Sequence, residues 1–318
     1  MNPRLNAFIY LHIAVFLWGF TAILGKLISY GSLQLVWHRM LLTAVVYFCI
    51  PSLWKHLRNM PAKNIAIFMG IGTIVCAHWL TFYGSIKLGN SASITLACLG
   101  SVSFFSSLLE PLITKQPFKK SEIFLGILVV AGILLVYKAL PHQSTDKSIN
   151  YSAAILSGIV SAFLAALFTV LNKKNIHKTD PLALSALEML SGAILLSVVV
   201  WLFATAQGPI WPQWSPESGN YDLLWMLILV VLCTNLTFWL GSHALKELSA
   251  FTANLTVNLE PVYGIILGAV IFKEHENLNL YFYAGALLIL ISVFAQTFFD
   301  YYKRKTNPEQ NVEVLIRE

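Results

Sequence analysis

Apolar runs of about 20 residues, the length needed to cross a hydrocarbon core as an α-helix, recur along almost the whole chain, separated by short polar breaks. The pattern predicts transmembrane helices over 5–28, 33–54, 64–87, 90–114, 121–140, 151–172, 181–205, 222–245, 249–272 and 279–302. Lipid offers the backbone no hydrogen-bond partner, so a run of this kind has little alternative to a helix. The first run is read as a retained span, because only Arg4 precedes it and it continues past Gly25 without a small-residue cleavage site.

Composition strengthens this picture: 57% hydrophobic residues, 11% charged residues and a mean hydropathy of +0.69 lie outside the range of soluble domains. Cys49, Cys76, Cys98 and Cys233 all fall inside spans without CxxC spacing. They read as small packing residues, and neither a metal site nor a cofactor is expected. Charge sets the orientation. If both termini share one side, that side holds Arg4, Lys55, Arg58, Lys63, Lys115, Lys119, Lys120, Lys173, Lys174, Lys178, Lys246, Lys303, Arg304, Lys305 and Arg317. The other side holds Lys26, Lys87, Lys138, Lys147 and Lys273. Basic loops stay cytoplasmic, so both termini are expected in the cytoplasm, with a multi-pass chain in the cell membrane. The net charge of +6 then reflects topology and implies no nucleic-acid partner. Residues 306–318 are expected to form a disordered cytoplasmic tail.

Weak but ordered self-similarity divides the chain in two. Arg39-Met40-Leu41 matches Glu188-Met189-Leu190; farther on, Lys87 matches Lys246, Ser91-Ala92 matches Ser249-Ala250, and Gly126 matches Gly285. The offset grows by about ten residues, which the longer connection from Ala206 to Tyr221 absorbs. The expected organisation is a five-helix repeat over 1–140, a linker over 141–150 and a second five-helix repeat over 151–305. An odd number of spans places the copies upside down relative to each other. The fold class is therefore all-α integral membrane: ten transmembrane helices as two inverted five-helix repeats, an arrangement typical of alternating-access carriers.

Trp18-Gly19-Phe20, Arg39, Leu259-Glu260-Pro261 and the Glu274 to Gly285 spacing together resemble the drug/metabolite transporter superfamily, specifically its EamA-domain branch of ten-helix carriers. The resemblance implies export or exchange of small metabolites, with spans 1–4 and 6–9 around a central cavity and spans 5 and 10 outside it. Two positions depart from the family pattern. Ser103 stands where Pro261 has its counterpart, the nearest proline being Pro111 beside Glu110, and Gln116 replaces an acidic residue before span 5.

Ionisable residues within spans face protein or water rather than lipid and are the first candidates for function. Arg39 lies about 9 Å into span 2, either as a fork for a substrate carboxylate or phosphate or as a fixed ion pair or snorkelling side chain. Glu188 is either a proton-coupling or amine-binding carboxylate or is neutralised by Lys173 and Lys174. Glu260 and Pro261 fall midway through span 9, where a proline would free the Val257 carbonyl for a ligand or simply kink the helix. Asn235, Trp239 and His243 share a helical face, as do Asn254, Asn258 and Pro261; Glu260 points about 200° away from Asn258. Both stripes suit cavity lining or bonding between helices. Trp18, His78, Trp79 and Tyr83 could form aromatic walls around a small amphipathic ligand. Trp37, Trp54, Trp211, Trp214 and Trp225 suit the membrane interface. His12, His38, His78 and His243 are either proton relays or satisfied buried histidines. Small residues at spacing four, Gly264 with Gly268 and Ser157 with Ser161, suit close helix contact.

A membrane-embedded enzyme would need a motif such as HExxH or GxSxG, and neither occurs. A passive channel would more often show pore loops or charge rings. The expectation is a secondary carrier, not an enzyme and not driven by ATP, that exports or exchanges a small-molecule metabolite such as an amino acid. It would work in the lipid bilayer as a monomer or homodimer.

Overall fold

The computed structural model describes residues 3–115, 120–139, 148–203, 215, 217, 219–247, 256–257, 259–276 and 278–306. Among these, regular structure is helical apart from an isolated bridge between Ser215 and Asn220. The helices are α1 (Pro3–Leu27), α2 (Ser32–Phe48), α3 (Pro51–Arg58), α4 (Ala62–Gly89), α5 (Ala92–Leu99), α6 (Val102–Thr114), α7 (Lys120–Ala139), α8 (Tyr151–Asn175), α9 (Pro181–Phe203), α10 (Asp222–Val230), α11 (Thr237–Glu247), α12 (Glu260–Phe272) and α13 (Leu280–Thr306). A π-helical segment, Val231–Leu236, joins α10 to α11.

Six segments are long and apolar enough to cross a membrane, or seven if α2 and α3 count as one span bent by 87°. Phe124–Ala139, Glu260–Phe272 and Leu280–Ser292 are shorter apolar helices. The bend corrects the expected single helix over 33–54. A residue before proline is pushed out of the α region, and Ile50, before Pro51, is extended with φ −83° and ψ 115°. Trp54 follows the bend and is 47% exposed.

The expected span over 90–114 is present as Ala92–Thr114, with a local break at Ser101 between α5 and α6. At Ser101, φ −79° and ψ −1°, the amide bonds the Cys98 carbonyl three residues back rather than the Ala97 carbonyl four back, while Gly100 still bonds Leu96. Leu259, just before α12, has nearly the same backbone, φ −80° and ψ −12°, and its amide bonds the Thr256 carbonyl three residues back. Both following helices, α6 and α12, are 13 residues long and end at a left-handed lysine, Lys115 or Lys273. Pro111 lies inside α6, which continues through it to Thr114.

Close helix crossings depend on small residues. A Cβ added to Gly19 of α1 would lie 3.0 Å from both the Glu260 carbonyl and the Gly264 amide of α12. Gly132 of α7 and Gly285 of α13 face each other's carbonyls, and Gly72 of α4 lies against the Glu188 backbone of α9. The extensive pairings are α4 with α8, α7 with α13, α2 with α9, α4 with α9, and α1 with both α11 and α12. Large apolar side chains cover much of the outside, among them Trp201 at 79% exposure. Such a surface is stable against lipid and a liability in water.

The end of the bundle where α1 terminates is tied by polar side chains. Glu274, only 4% exposed, accepts from Lys26 Nζ (2.9 Å), Ser91 Oγ (3.0 Å), Ala92 N (3.1 Å) and Ser93 N (3.0 Å). It thus satisfies amides of the first turn of α5 that have no intrahelical partner. Asp222 accepts from Ser29 N (2.8 Å) and Ser29 Oγ, and Lys87 Nζ donates to the Ile28 carbonyl.

Candidate functional site

Arg39 projects from α2 into the interior and is 4% exposed. Its Nε donates to Thr234 Oγ1 (3.1 Å) and its Nη1 to Tyr83 OH (2.8 Å), while the guanidinium carbon lies 3.8 Å from the centre of a Trp79 ring. Trp79 and Tyr83 stand one turn apart on α4, which is why one guanidinium reaches both. Gly25 of α1 leaves room for the Tyr83 ring, since a Cβ there would fall 2.6 Å from it. Three of the residues expected at the site therefore meet. The fixed-ion-pair reading of Arg39 has no counterpart among the described residues, where the guanidinium is held by neutral hydroxyls and an aromatic face.

Thr234 was not singled out by the sequence, and the π segment explains why. Thr234 Oγ1 donates to the Leu229 carbonyl (2.8 Å) and Asn235 Nδ2 to the Val230 carbonyl (2.9 Å), both five residues back. One extra residue in the turn rotates the register, and such bulges are frequent at functional sites. Asn235 is half-buried with its Oδ1 unpartnered, whereas Trp239 is 52% exposed. Of the residues expected to share a face, Trp239 and His243 have rings 4.2 Å apart, while Asn235 is turned onto the Val230 carbonyl. Trp18 Nε1 donates to Thr237 Oγ1 (3.0 Å), and that hydroxyl in turn reaches the Thr234 carbonyl (3.0 Å). Trp18 is thereby connected to the Arg39 cluster through the irregular helix.

Glu260 and Pro261 require a correction. The helix begins anew at Glu260, so Pro261 occupies its first turn, where the missing amide costs no hydrogen bond and the fixed φ suits the helix. Pro261 therefore starts a helix rather than kinking one midway. Glu260 is half-buried, and its charge and that of Arg39 act on each other without closing an ion pair. Asn254 and Asn258 lie outside the described residues.

Glu188 is 2% exposed on α9. Lys173 is drawn to Glu110 and Lys174 Nζ to the Ile113 carbonyl (3.2 Å), so the expected neutralisation of Glu188 by these lysines is not made. The Asn172 side chain of α8 hydrogen-bonds the Glu188 carboxyl, and Glu188 Oε1 has no partner among the described residues. His78 shares its Nδ1 with the carbonyl and hydroxyl of Ser161 on α8, both at 2.9 Å. That pairing ties α4 to α8. His38 Nδ1 contacts the Gln34 carbonyl (2.7 Å), and His12 Nδ1 lies 3.4 Å from Tyr263 OH. Trp37 is 8% exposed and donates to Ser197 Oγ of α9 (2.9 Å). No group of three or more His, Cys, Asp or Glu side chains suited to a metal occurs among the described residues.

The model of the EamA-like transporter family matches residues 5–138 and 152–298. Relatives include the uncharacterized transporter YoaV of Bacillus subtilis, 22% identical over 89% of this chain and 93% of its own length. The uncharacterized inner membrane transporter YicL of Salmonella typhimurium is 24% identical over 88% of this chain and 91% of its own. A solved crystal structure covers 92% of this chain and 96% of its own with a TM-score of 0.60 and 13% identity, a likeness of fold alone. With apolar helices long enough to span a bilayer and family matches across both halves, this multi-pass membrane protein belongs to the EamA-like transporter family.

Proposed function

We propose that the chain is a secondary carrier that exports or exchanges a small amphipathic metabolite, such as an amino acid, by alternating access. The observation that carries this reading is the Arg39 cluster. A buried guanidinium without a carboxylate partner among the described residues is a costly arrangement unless an anionic group visits it, and Trp79 offers an apolar wall beside it. Glu260, across from Arg39, supplies the opposite charge for a substrate amine. Glu188 and His243 complete the set of coupling and gating candidates.

The architecture we infer is ten spans in two inverted repeats, 1–140 and 151–305, joined by 141–150, with both termini and the tail from 306 in the cytoplasm. Support comes from the paired breaks at Ser101 and Leu259, from the equal lengths and left-handed ends of α6 and α12, and from helix contacts that map onto themselves when the halves are exchanged. The ties of Glu274 to Lys26 and of Asp222 to Ser29 join the two halves at the end assigned to the outside. A carrier with that mouth held closed is one of the two states that alternating access requires.

Proteoliposomes containing the purified protein should show substrate-saturable counterflow for at least one compound in a metabolite panel beginning with amino acids. Arg39→Gln should abolish flux of compounds bearing a carboxylate or phosphate while leaving the protein folded. Unsaturable flux would indicate a passive channel, and absence of flux across a broad panel would overturn the carrier reading.

A further inference from the structure

A second group of buried polar side chains gathers around Glu188 of α9: Asn172 of α8 bonds its carboxyl, and Tyr47 of α2 lies near it. Three side-chain atoms there have no hydrogen-bond partner among the described residues: Glu188 Oε1, Asn172 Oδ1 and Tyr47 OH. Thr43 Oγ1, one turn before Tyr47 on α2, is a fourth. Glu188 is 2% and Tyr47 4% exposed, and Tyr47 lies within the field of both Glu188 and Arg39. Buried polar atoms are almost always paired, so several orphans from three helices mark a place whose occupant is not among the described protein groups.

Charge narrows the occupant. A carboxylate in this setting needs a cation or must itself become neutral. The cations nearby in sequence do not serve it: Lys173 and Lys174 bond to α6, and Lys55, His56 and Arg58 on α3 are exposed. The other titratable groups on the packed helices are His38, Arg39 and Tyr47 on α2 and Cys76, His78 and Tyr83 on α4: Arg39 is bonded to Thr234 and Tyr83, His78 to Ser161 and His38 to the Gln34 carbonyl, while Cys76 lies against Gly192, one turn beyond Glu188. Hard metal ions collect six or more oxygen ligands, and this group offers only a few side-chain oxygens. A proton needs only one. The geometry points to Glu188 as a proton-carrying site, separate from the Arg39 substrate site, with Asn172 bonded to its carboxyl and the unpartnered Tyr47 hydroxyl close by.

On loading, a proton from water forms an O–H bond at a Glu188 carboxylate oxygen and the side chain becomes neutral. On release that bond breaks, the electron pair stays on the carboxylate, and the proton returns to water at the opposite mouth. The carrier role of this proton rests on the function proposed above; its binding does not.

Infrared difference spectra of the full-length protein in liposomes, recorded from acidic to alkaline buffer, test the site without any substrate. A protonated-carboxyl C=O band that persists at neutral pH and disappears in alkali is expected. Glu188→Gln should lose it. Tyr47→Phe, which keeps the ring and removes only the hydroxyl, should shift it, giving a second reading if the glutamine variant does not fold. Absence of such a band at every pH would mean that the site holds water, and would overturn the proposal. So would a band eliminated by sodium but not by choline, which would assign the site to an alkali ion. An imposed pH gradient should accelerate uptake by the wild type, and this acceleration should vanish in Glu188→Gln while exchange at equal pH continues. Gradient-insensitive uptake by the wild type would refute proton carriage while leaving the carrier reading standing. The band without any saturable flux would refute the carrier and retain the proton site.

Discussion

Glu274 offers a quantitative test of how the end of the bundle is held. Its carboxylate accepts four hydrogen bonds of 2.9–3.1 Å from Lys26, Ser91, Ala92 and Ser93, and thereby joins α1 and α5 to the turn after α12. Removing one member of a buried ion pair costs about 3–5 kcal/mol. Because Lys26 keeps 18% of its side chain exposed, Glu274→Ala should fall toward the lower end of that range. Glu274→Gln keeps one acceptor oxygen and should cost about 1–3 kcal/mol, the scale of hydrogen bonds to a charged group. Unfolding in mixed micelles with increasing SDS would measure both. A cycle with Lys26→Met should return a coupling of at least about 0.5 kcal/mol.

The pH dependence of this contribution has a definite sign. Burial alone would raise the Glu274 carboxyl, but the bonds from Ser93 and Lys26 and the Lys26 charge outweigh it and hold the group below its ordinary value of 4.5. Stability from a carboxylate lowered in this way is complete above the unfolded value and is lost as pH falls through the folded one. The difference between wild type and Glu274→Gln should stay flat from about pH 8 to about pH 5 and close only in more acidic buffer. Strictly additive losses with Lys26→Met, or a difference that already decays near neutrality, would refute the latch.

Gly72→Ala would put a Cβ 2.5 Å from the Glu188 carbonyl and 2.6 Å from its Cα. Backbone cannot yield as a flexible side chain can, so a loss of about 1–3 kcal/mol or more is expected; an unchanged melting curve would contradict this crossing. Arg39→Lys keeps the charge but loses the fork that reaches Thr234 and Tyr83 and the planar contact with Trp79. Counterflow of an anionic substrate should fall at least about tenfold, or about 1.4 kcal/mol, with little change in folded yield; wild-type flux would remove Arg39 from the recognition site.

The Arg39, Trp79 and Tyr83 grouping could be read along the chain because it follows regular spacing. Arg39 is an arginine within an apolar run, and Trp79 and Tyr83 are four residues apart on an uninterrupted helix. Thr234 escaped because the π segment breaks the periodicity on which facing arguments rest. Pro261 misled for a related reason. A proline within a long apolar run reads as a kink, yet here it begins a helix, and the run alone does not say where the hydrogen-bond ladder restarts.

The helical, membrane-embedded character of this protein followed from sequence by itself, because lipid leaves an apolar backbone no other way to satisfy its amides. The apolar runs therefore announced the helices, with local exceptions such as the bend at Pro51. Which face of each helix meets a neighbour was decided only by the tertiary structure. In water the buried face is the apolar one, but here a side chain facing lipid and one facing another helix can be equally apolar. The bond of Asn172 to Glu188 and the approach of Tyr47 to that carboxyl come from the packing of three helices, and no spacing along the chain encodes them.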